Sequence, residues 1–337
     1  MRHLAFAAAL LAAALPATGA RAWGPTGHRL IGELAMARLP TDLPAFLRDT
    51  DVARDIGMLA QEPDRWRNSG DPHDSERDPG HFVHVLDDGT MVGGPKLAAL
   101  PPTRRDYDTA LRAAGSTQYD AGYLPYSIID GWQQLREDFA WWRADAAGEK
   151  LAKAAADRAW FARDRKLREM LTVRDLGVWA HFVGDASQPN HASVHYDEWG
   201  PGPNPEGFPQ SKGIHWRFEG TFVGANIKAA DIAPLIAAPR DCACAITQRT
   251  AAYLVATQSF VLTLYRLDKA HAFDGAGTPE GKAFAASRIA AATAELRDMV
   301  VSAWRDSADW KIGIPAVAVK DAEAGDSAAL KNLRGTD

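Results

Sequence analysis

Cys242 and Cys244 are the only two cysteines in 337 residues. Two cysteines with one residue between them cannot staple a fold, and a four-cysteine zinc site is excluded. A bond across the pair would close a small, strained ring, so the cysteines read as incidental. A labile disulfide in an oxidising compartment is the other reading. Long apolar runs are also scarce: after residues 4–15 nothing approaches the roughly 18 residues that a spanning helix needs, so no stable membrane insertion is expected. Positive charge is short as well, the formal net charge being −5. An acidic chain does not hold nucleic acid or anionic lipid through a broad basic face. If its substrate is a phosphate ester, positive charge must be local, as bound metal ions would supply it.

What is present begins with an export signature. Arg2 and His3 precede an apolar run from Leu4 to Leu15, and Ala20-Arg21-Ala22 forms an A-x-A cleavage pattern. Residues 1–22 therefore read as a signal peptide too short to span a membrane, and the protein is expected to be secreted or periplasmic. Cleavage after Ala22 makes Trp23 the first mature residue, and losing Arg2 and Arg21 moves the formal charge from −5 to −7. The rest reads as an all-α fold in a single multi-helix domain over 23–319, followed by a polar, flexible tail over 320–337. Apolar spacings of three and four predict helices over 28–38, 41–48, 52–60, 127–142, 150–170, 174–186, 246–268 and 279–307. Proline and glycine mark two long loops, 71–102 and 200–213. Trp132, Trp141, Trp142, Trp160, Trp179 and Trp304 fall inside helices and are expected to pack between them.

Five short stretches carry donor chemistry. Residues 181–191 read HFVGDASQPNH, so His181 and Asp185 lie one helical turn apart and His191 follows a helix-ending proline. Residues 213–219 read GIHWRFE, which puts His215 and Glu219 four apart on one face. Residues 63–67 read PDRWR, with Asp64 behind a proline and Arg67 three residues on. Residues 80–84 read GHFVH, giving His81, Phe82 and His84, and residues 23–28 read WGPTGH, ending in His28. Imidazole and carboxylate donors at such spacings suit zinc. Each stretch alone also has an ordinary reading: a surface His–Glu hydrogen bond, a half-buried histidine, or an exposed Asp–Arg pair.

Taken together, the stretches resemble the trinuclear-zinc hydrolases, which include single-strand nucleases of the S-one/P-one type and bacterial zinc phospholipases C. In that family the mature N-terminal Trp binds zinc through its amine and carbonyl. A His, an Asp, a His, an H-x3-D-x5-H stretch and an H-x3-D/E pair then follow. All nine positions occur here in order as Trp23, His28, Asp64, His81, His181, Asp185, His191, His215 and Glu219. The resemblance implies a multi-helix domain with long loops around a cleft that binds three Zn2+. Asp64, His81, His181 and Asp185 would hold the first ion. Trp23, His28 and a bridging Asp185 would hold the second, and His191, His215 and Glu219 the third. It also implies attack at phosphorus by a hydroxide held between two ions, with Asp64 orienting it and Arg67 facing the phosphate. Phe82 matches a phenylalanine on which the nucleases stack a base.

Two features point to the nuclease branch, whose substrate is single-stranded DNA and RNA cleaved to 5′-phosphorylated products. They are the compact spacing from Trp23 to His28 and the 24 positions from His191 to His215. Two point toward a phospholipase C acting on lipid head groups. Glu219 is the phospholipase-type final ligand, and His84 stands where the nucleases place an Asp that hydrogen-bonds the base. The stretch between His81 and His181 is longer than in either branch, and its Tyr119 to Tyr126 segment reads as a lid or an extra wall. A third reading, of a different class, is a non-catalytic helical binding protein stapled by zinc. No protein partner is implied.

Overall fold

The computed structural model describes residues 23–200 and 202–335. The signal peptide expected over 1–22 lies outside the described residues, and so does the cleavage that would free Trp23. The described chain is all-α, and its only paired strands are Lys311–Ile312 and Val317–Ala318. Among the described residues no helix is long and apolar enough to cross a membrane.

Two long antiparallel helices, Leu124–Leu151 and Ala155–Asp185, form the backbone of the fold. Their close approach depends on small residues: a side chain at Gly131 would overlap the ring of Trp179. The second helix was expected as two pieces, 150–170 and 174–186. Nothing at Leu171-Thr172-Val173 breaks it, because the Thr172 hydroxyl turns back to the Arg168 carbonyl at 2.8 Å. The i,i+4 pairs Arg165–Glu169 and Arg168–Asp164 brace the turn before it. This continuity carries His181 and Asp185 into the protein on the last turn of a 31-residue helix.

Gly24–Met36 and Thr50–Leu59 lie against this pair, the latter capped by Asp49, whose side chain accepts from Asp51 and Val52 N–H. Pro279–Ser307 closes the core from the other side. It starts at Pro279, where no helical N–H is lost, and Thr278 caps it through Gly281 N–H. The expected 246–268 helix divides into Ile246–Gln258 and Val261–Lys269, with the Ser259 hydroxyl donating to the Ala256 carbonyl at 2.6 Å at the break. All six helical tryptophans do sit in helices, and Trp132, Trp179 and Trp304 are buried in the main core.

Two expectations need correction. The segment after 319 is not a frayed tail within the described residues. It folds as Val319–Glu323 and Ser327–Arg334, and Val319, Ala322, Ala329, Leu330 and Leu333 bury against Phe161 and Ala140 in a second apolar cluster. Its polar composition hid three-and-four spacing in a stretch short enough to pass for a terminus. The cysteines are not idle either: Cys242 and Cys244 are joined in a disulfide.

Candidate metal centre

His181 and Asp185 are fully buried at the C-terminal end of Ala155–Asp185. The Ala60 carbonyl, at the end of Thr50–Leu59, lies 2.8 Å from His181 Nδ1. A carbonyl only accepts, so Nδ1–H donates and the Nε2 lone pair is left for the cluster. That nitrogen is 3.2 Å from Asp185 Oδ2 and 2.9 Å from His81 Nδ1. His81 Nδ1 in turn lies 3.2 Å from Asp185 Oδ2. On the other side His28 stacks on His181 with ring centroids 3.9 Å apart, and its Nε2 is 3.4 Å from Asp185 Oδ1. Gly184 makes room for this, because a Cβ there would stand 3.0 Å from His28 Nδ1. The two carboxylate oxygens of Asp185 thus serve two different imidazole groups.

Ligand atoms within 4.8 Å of one another form three buried sets among the described residues. They are His28, His181 and Asp185; Asp64, His81 and His181; and His191, His215 and Glu219. His181 belongs to two sets and Asp185 to one, whereas the resemblance implies that Asp185 is the shared residue. In the third set His191 Nδ1–H donates to the His81 carbonyl at 2.6 Å, which frees its Nε2 to meet His215 Nε2 at 3.0 Å. Glu219 Oε2 lies 3.0 Å from His215 Nε2 and 3.6 Å from His191 Nε2. Glu219 sits in a π-helical turn, Arg217–Phe222, a local widening often found at functional sites. The His191 link to His81, repeated by Val83 N–H to the His191 carbonyl at 2.8 Å, ties the third set to the first.

The electrostatics fit cations. Burial drives His181 down to about 4 and His81 well below its ordinary value, so both rings are neutral donors at neutral pH. Burial pushes Asp64 up to about 6 and Asp185 well above the carboxylate range. Glu219 also feels burial, but His215 and His191 outweigh it and hold the group down to about 2. Asp185 Oδ1 and Glu219 Oε1 are buried without a hydrogen-bond partner. A buried carboxylate is stable ionised only when paired or metal-bound. Five imidazoles and three carboxylates, with no thiolate, make a zinc-type donor set.

Trp23 packs where the sets meet. Its ring is fully buried, and Nε1–H donates to the Gly184 carbonyl at 2.8 Å and the Ser187 hydroxyl at 3.0 Å. The next residue, Gly24, is so close to Glu219 and Gly220 that an added Cβ would be 3.3 Å from the Glu219 carbonyl. The start of the Gly24–Met36 helix is therefore wedged between the Asp185 and Glu219 regions.

A cavity of about 210 Å³ opens onto the sets, lined by Arg67, His81, Phe82, His84, Asn190, His191, Tyr196 and His215. Arg67 Nε–H donates to Asp78 Oδ1 at 3.1 Å, and Nη1 is 3.7 Å from Asp64 Oδ1. The Tyr119 to Tyr126 segment is a wall: His84 N–H donates to the Ala121 carbonyl at 2.7 Å, and Gly122 packs against Phe82. Sequence reasoning missed three residues. Gln188 Nε2–H donates to Glu219 Oε2 at 2.9 Å, Asn190 is buried at the cavity with Oδ1 unbonded, and Tyr196 stacks on His84. The first two lie inside the quoted 181–191 stretch, where amides beside a helix-ending proline were the available signal.

Compared with known proteins, the chain matches no family model and no curated sequence.

Proposed function

We propose that the protein is an exported zinc-dependent phosphodiesterase, a nuclease of single-stranded DNA and RNA that leaves 5′-phosphorylated products. We propose with it a fold of the zinc phospholipase C and single-strand nuclease kind. The observation that carries this reading is Asp185, fully buried, with Oδ1 turned to His28 and Oδ2 to His81 and His181. A bridging carboxylate between two imidazole groups suits two-metal phosphoester chemistry. Asp64, His81, His181 and Asp185 would hold one zinc, Trp23, His28 and Asp185 a second, and His191, His215 and Glu219 a third. When bound, zinc acts as a Lewis acid that lowers the pKa of a coordinated water to about 7 and steadies the leaving oxygen. The chain's own groups do the rest. Asp64 accepts from the attacking water and aims it. The planar guanidinium of Arg67, steadied by Asp78, binds nonbridging phosphate oxygens as charge builds on them.

A non-catalytic zinc staple would be closed by its protein ligands. His81, His191 and His215 instead line an accessible cavity, which favours turnover. Phospholipase C is the second reading, favoured by Glu219 as final ligand. The test is a zinc count on the processed protein together with hydrolysis of single-stranded DNA, RNA and phosphatidylcholine. Two or more firmly held zinc ions with strand cleavage support the nuclease, and lecithin hydrolysis alone supports the lipase. Zinc held with no turnover leaves only the staple.

A further inference from the structure

Phe82, His84 and Tyr196 form a column of three near-parallel rings at the cavity. Phe82 and His84 are 4.3 Å apart at 23°, and His84 and Tyr196 are 5.2 Å apart at 25°. His84 is pinned in the middle. Its Nδ1–H donates to the Asp120 carbonyl at 3.0 Å, its own N–H to the Ala121 carbonyl at 2.7 Å, and its carbonyl accepts from Val92 N–H at 2.9 Å. One face of Phe82 is therefore covered by His84, and Gly122 sits so close that an added methyl would overlap ring atom Cδ2. Phe82 therefore offers the cavity its remaining face alone.

Tyr196 ends the column and keeps 40% of its surface exposed. Its backbone is fixed from the residue before it. His195 Nε2 pairs with Asp87 at 3.0 Å, and the His195 ring stacks on Trp199 with centroids 3.8 Å apart. The His195 carbonyl accepts from Asn190 at 3.2 Å and from the Tyr265 hydroxyl at 3.0 Å. The open ring thus rises from a fixed backbone at the cavity that His191 and His215 also line, as a preorganised site requires.

We propose that Tyr196, with His84 as a rigid spacer beneath it, is the aromatic platform that holds an unpaired nucleobase beside the scissile phosphate. This inference rests on the nuclease reading. It assigns the stacking to the more exposed of the two end rings and makes recognition tolerant of base identity, since position 84 offers a ring where a carboxylate would select a base.

The test uses the processed, zinc-loaded protein on two single strands of one length, one bearing bases and one abasic throughout. Tyr196→Ala should lower kcat/KM on the base-bearing strand by roughly 5- to 100-fold, the worth of one stacked base, and change the abasic strand far less. Tyr196→Phe should restore the difference. An equal loss on both strands overturns the proposal. So does a larger base-specific loss from Phe82→Ala in a variant that melts like the wild type. Binding is read separately by calorimetry with adenosine 5′-phosphate and ribose 5-phosphate. The nucleotide should bind more tightly in the wild type, and Tyr196→Ala should erase the preference. A preference unchanged by Tyr196→Ala overturns the proposal even if no strand is cleaved, an outcome that rejects the nuclease reading instead.

Discussion

At the scale of single residues, the eight side chains from His28 to Glu219 that gather into the three donor sets were legible because metal ligation needs particular donor atoms at particular spacings. The i,i+4 pairs His181–Asp185 and His215–Glu219 face one another as helical geometry demands. Gln188, Asn190 and Tyr196 were not singled out, because the partners of Gln188 and Tyr196 lie far away in sequence and amide or phenol groups carry no spacing rule of their own. Two predictions belong here. Asp185→Asn keeps the volume but removes the charge shared by two imidazole groups. It should release at least one zinc and reduce turnover more than Glu219→Asp, which shortens one arm by a methylene. Elemental analysis beside kcat checks this, and equal losses would argue against the bridge. Gln188→Leu leaves every ligand in place but frees Glu219 Oε2 to rotate. Outer-shell hydrogen bonds of this kind are worth about 10- to 100-fold in metal affinity, so zinc competition with a chelator should show a loss of that order. Unchanged affinity would mean the π-helical turn alone orients Glu219.

At the scale of helices, the periodic pattern marked the long core helices, missed Arg104–Ala113 and the two C-terminal helices, and misjudged where two of the long ones continue or break. Met170 to Arg174 read as a boundary because Met170, Leu171 and Val173 depart from the three-and-four apolar spacing on either side. The helix runs through with Met170 and Leu171 turned outward, and on either side of this stretch it meets its antiparallel partner with charge. Asp138 and Asp145, two turns apart on Leu124–Leu151, are buried against Asp175 and Asp164 of Ala155–Asp185. Burial first, and the facing carboxylate second, lifts Asp138 to about 7 and Asp145 to about 8. Arg168 opposes both shifts, joined at Asp138 by a hydrogen bond from Gln134 and at Asp145 by Arg165. The folded state therefore binds protons more readily than the unfolded chain. Its advantage from these groups is full below pH 3.8 and declines as pH rises toward about 8. Asp145→Asn should accordingly raise Tm by about 2–4 °C at pH 9, the scale expected of 1 kcal/mol or more in a domain of this size, and change it little at pH 4. A Tm shift of the same size at both pH values would show that Asp145 does not titrate with folding.

At the scale of the molecule, the metal sets are assembled from segments spread between Trp23 and Glu219, and the fold joins them through the start of one helix. The Trp23 indole donates to Gly184 and Ser187 beside Asp185, while Gly24 touches Glu219 and Gly220. The ring anchors this junction, and the amine would complete the second zinc only if processing ends at Ala22. Those two roles can be separated. A protein made without residues 1–22 but retaining one Met before Trp23 keeps every contact of the indole and loses the free amine at that position. It should fold with the wild-type melting temperature, bind one zinc ion fewer, and lose most of its turnover. Trp23→Phe with a correctly processed terminus should do the reverse. The amine remains, two buried hydrogen bonds disappear, and stability falls by about 1–3 kcal/mol while zinc binding survives better than in the Met-extended form. Intact mass, metal content and melting measured on both proteins decide the matter. Full zinc content and full activity in the Met-extended protein would remove Trp23 from the ligand set and leave His28 and Asp185 to hold that ion without it.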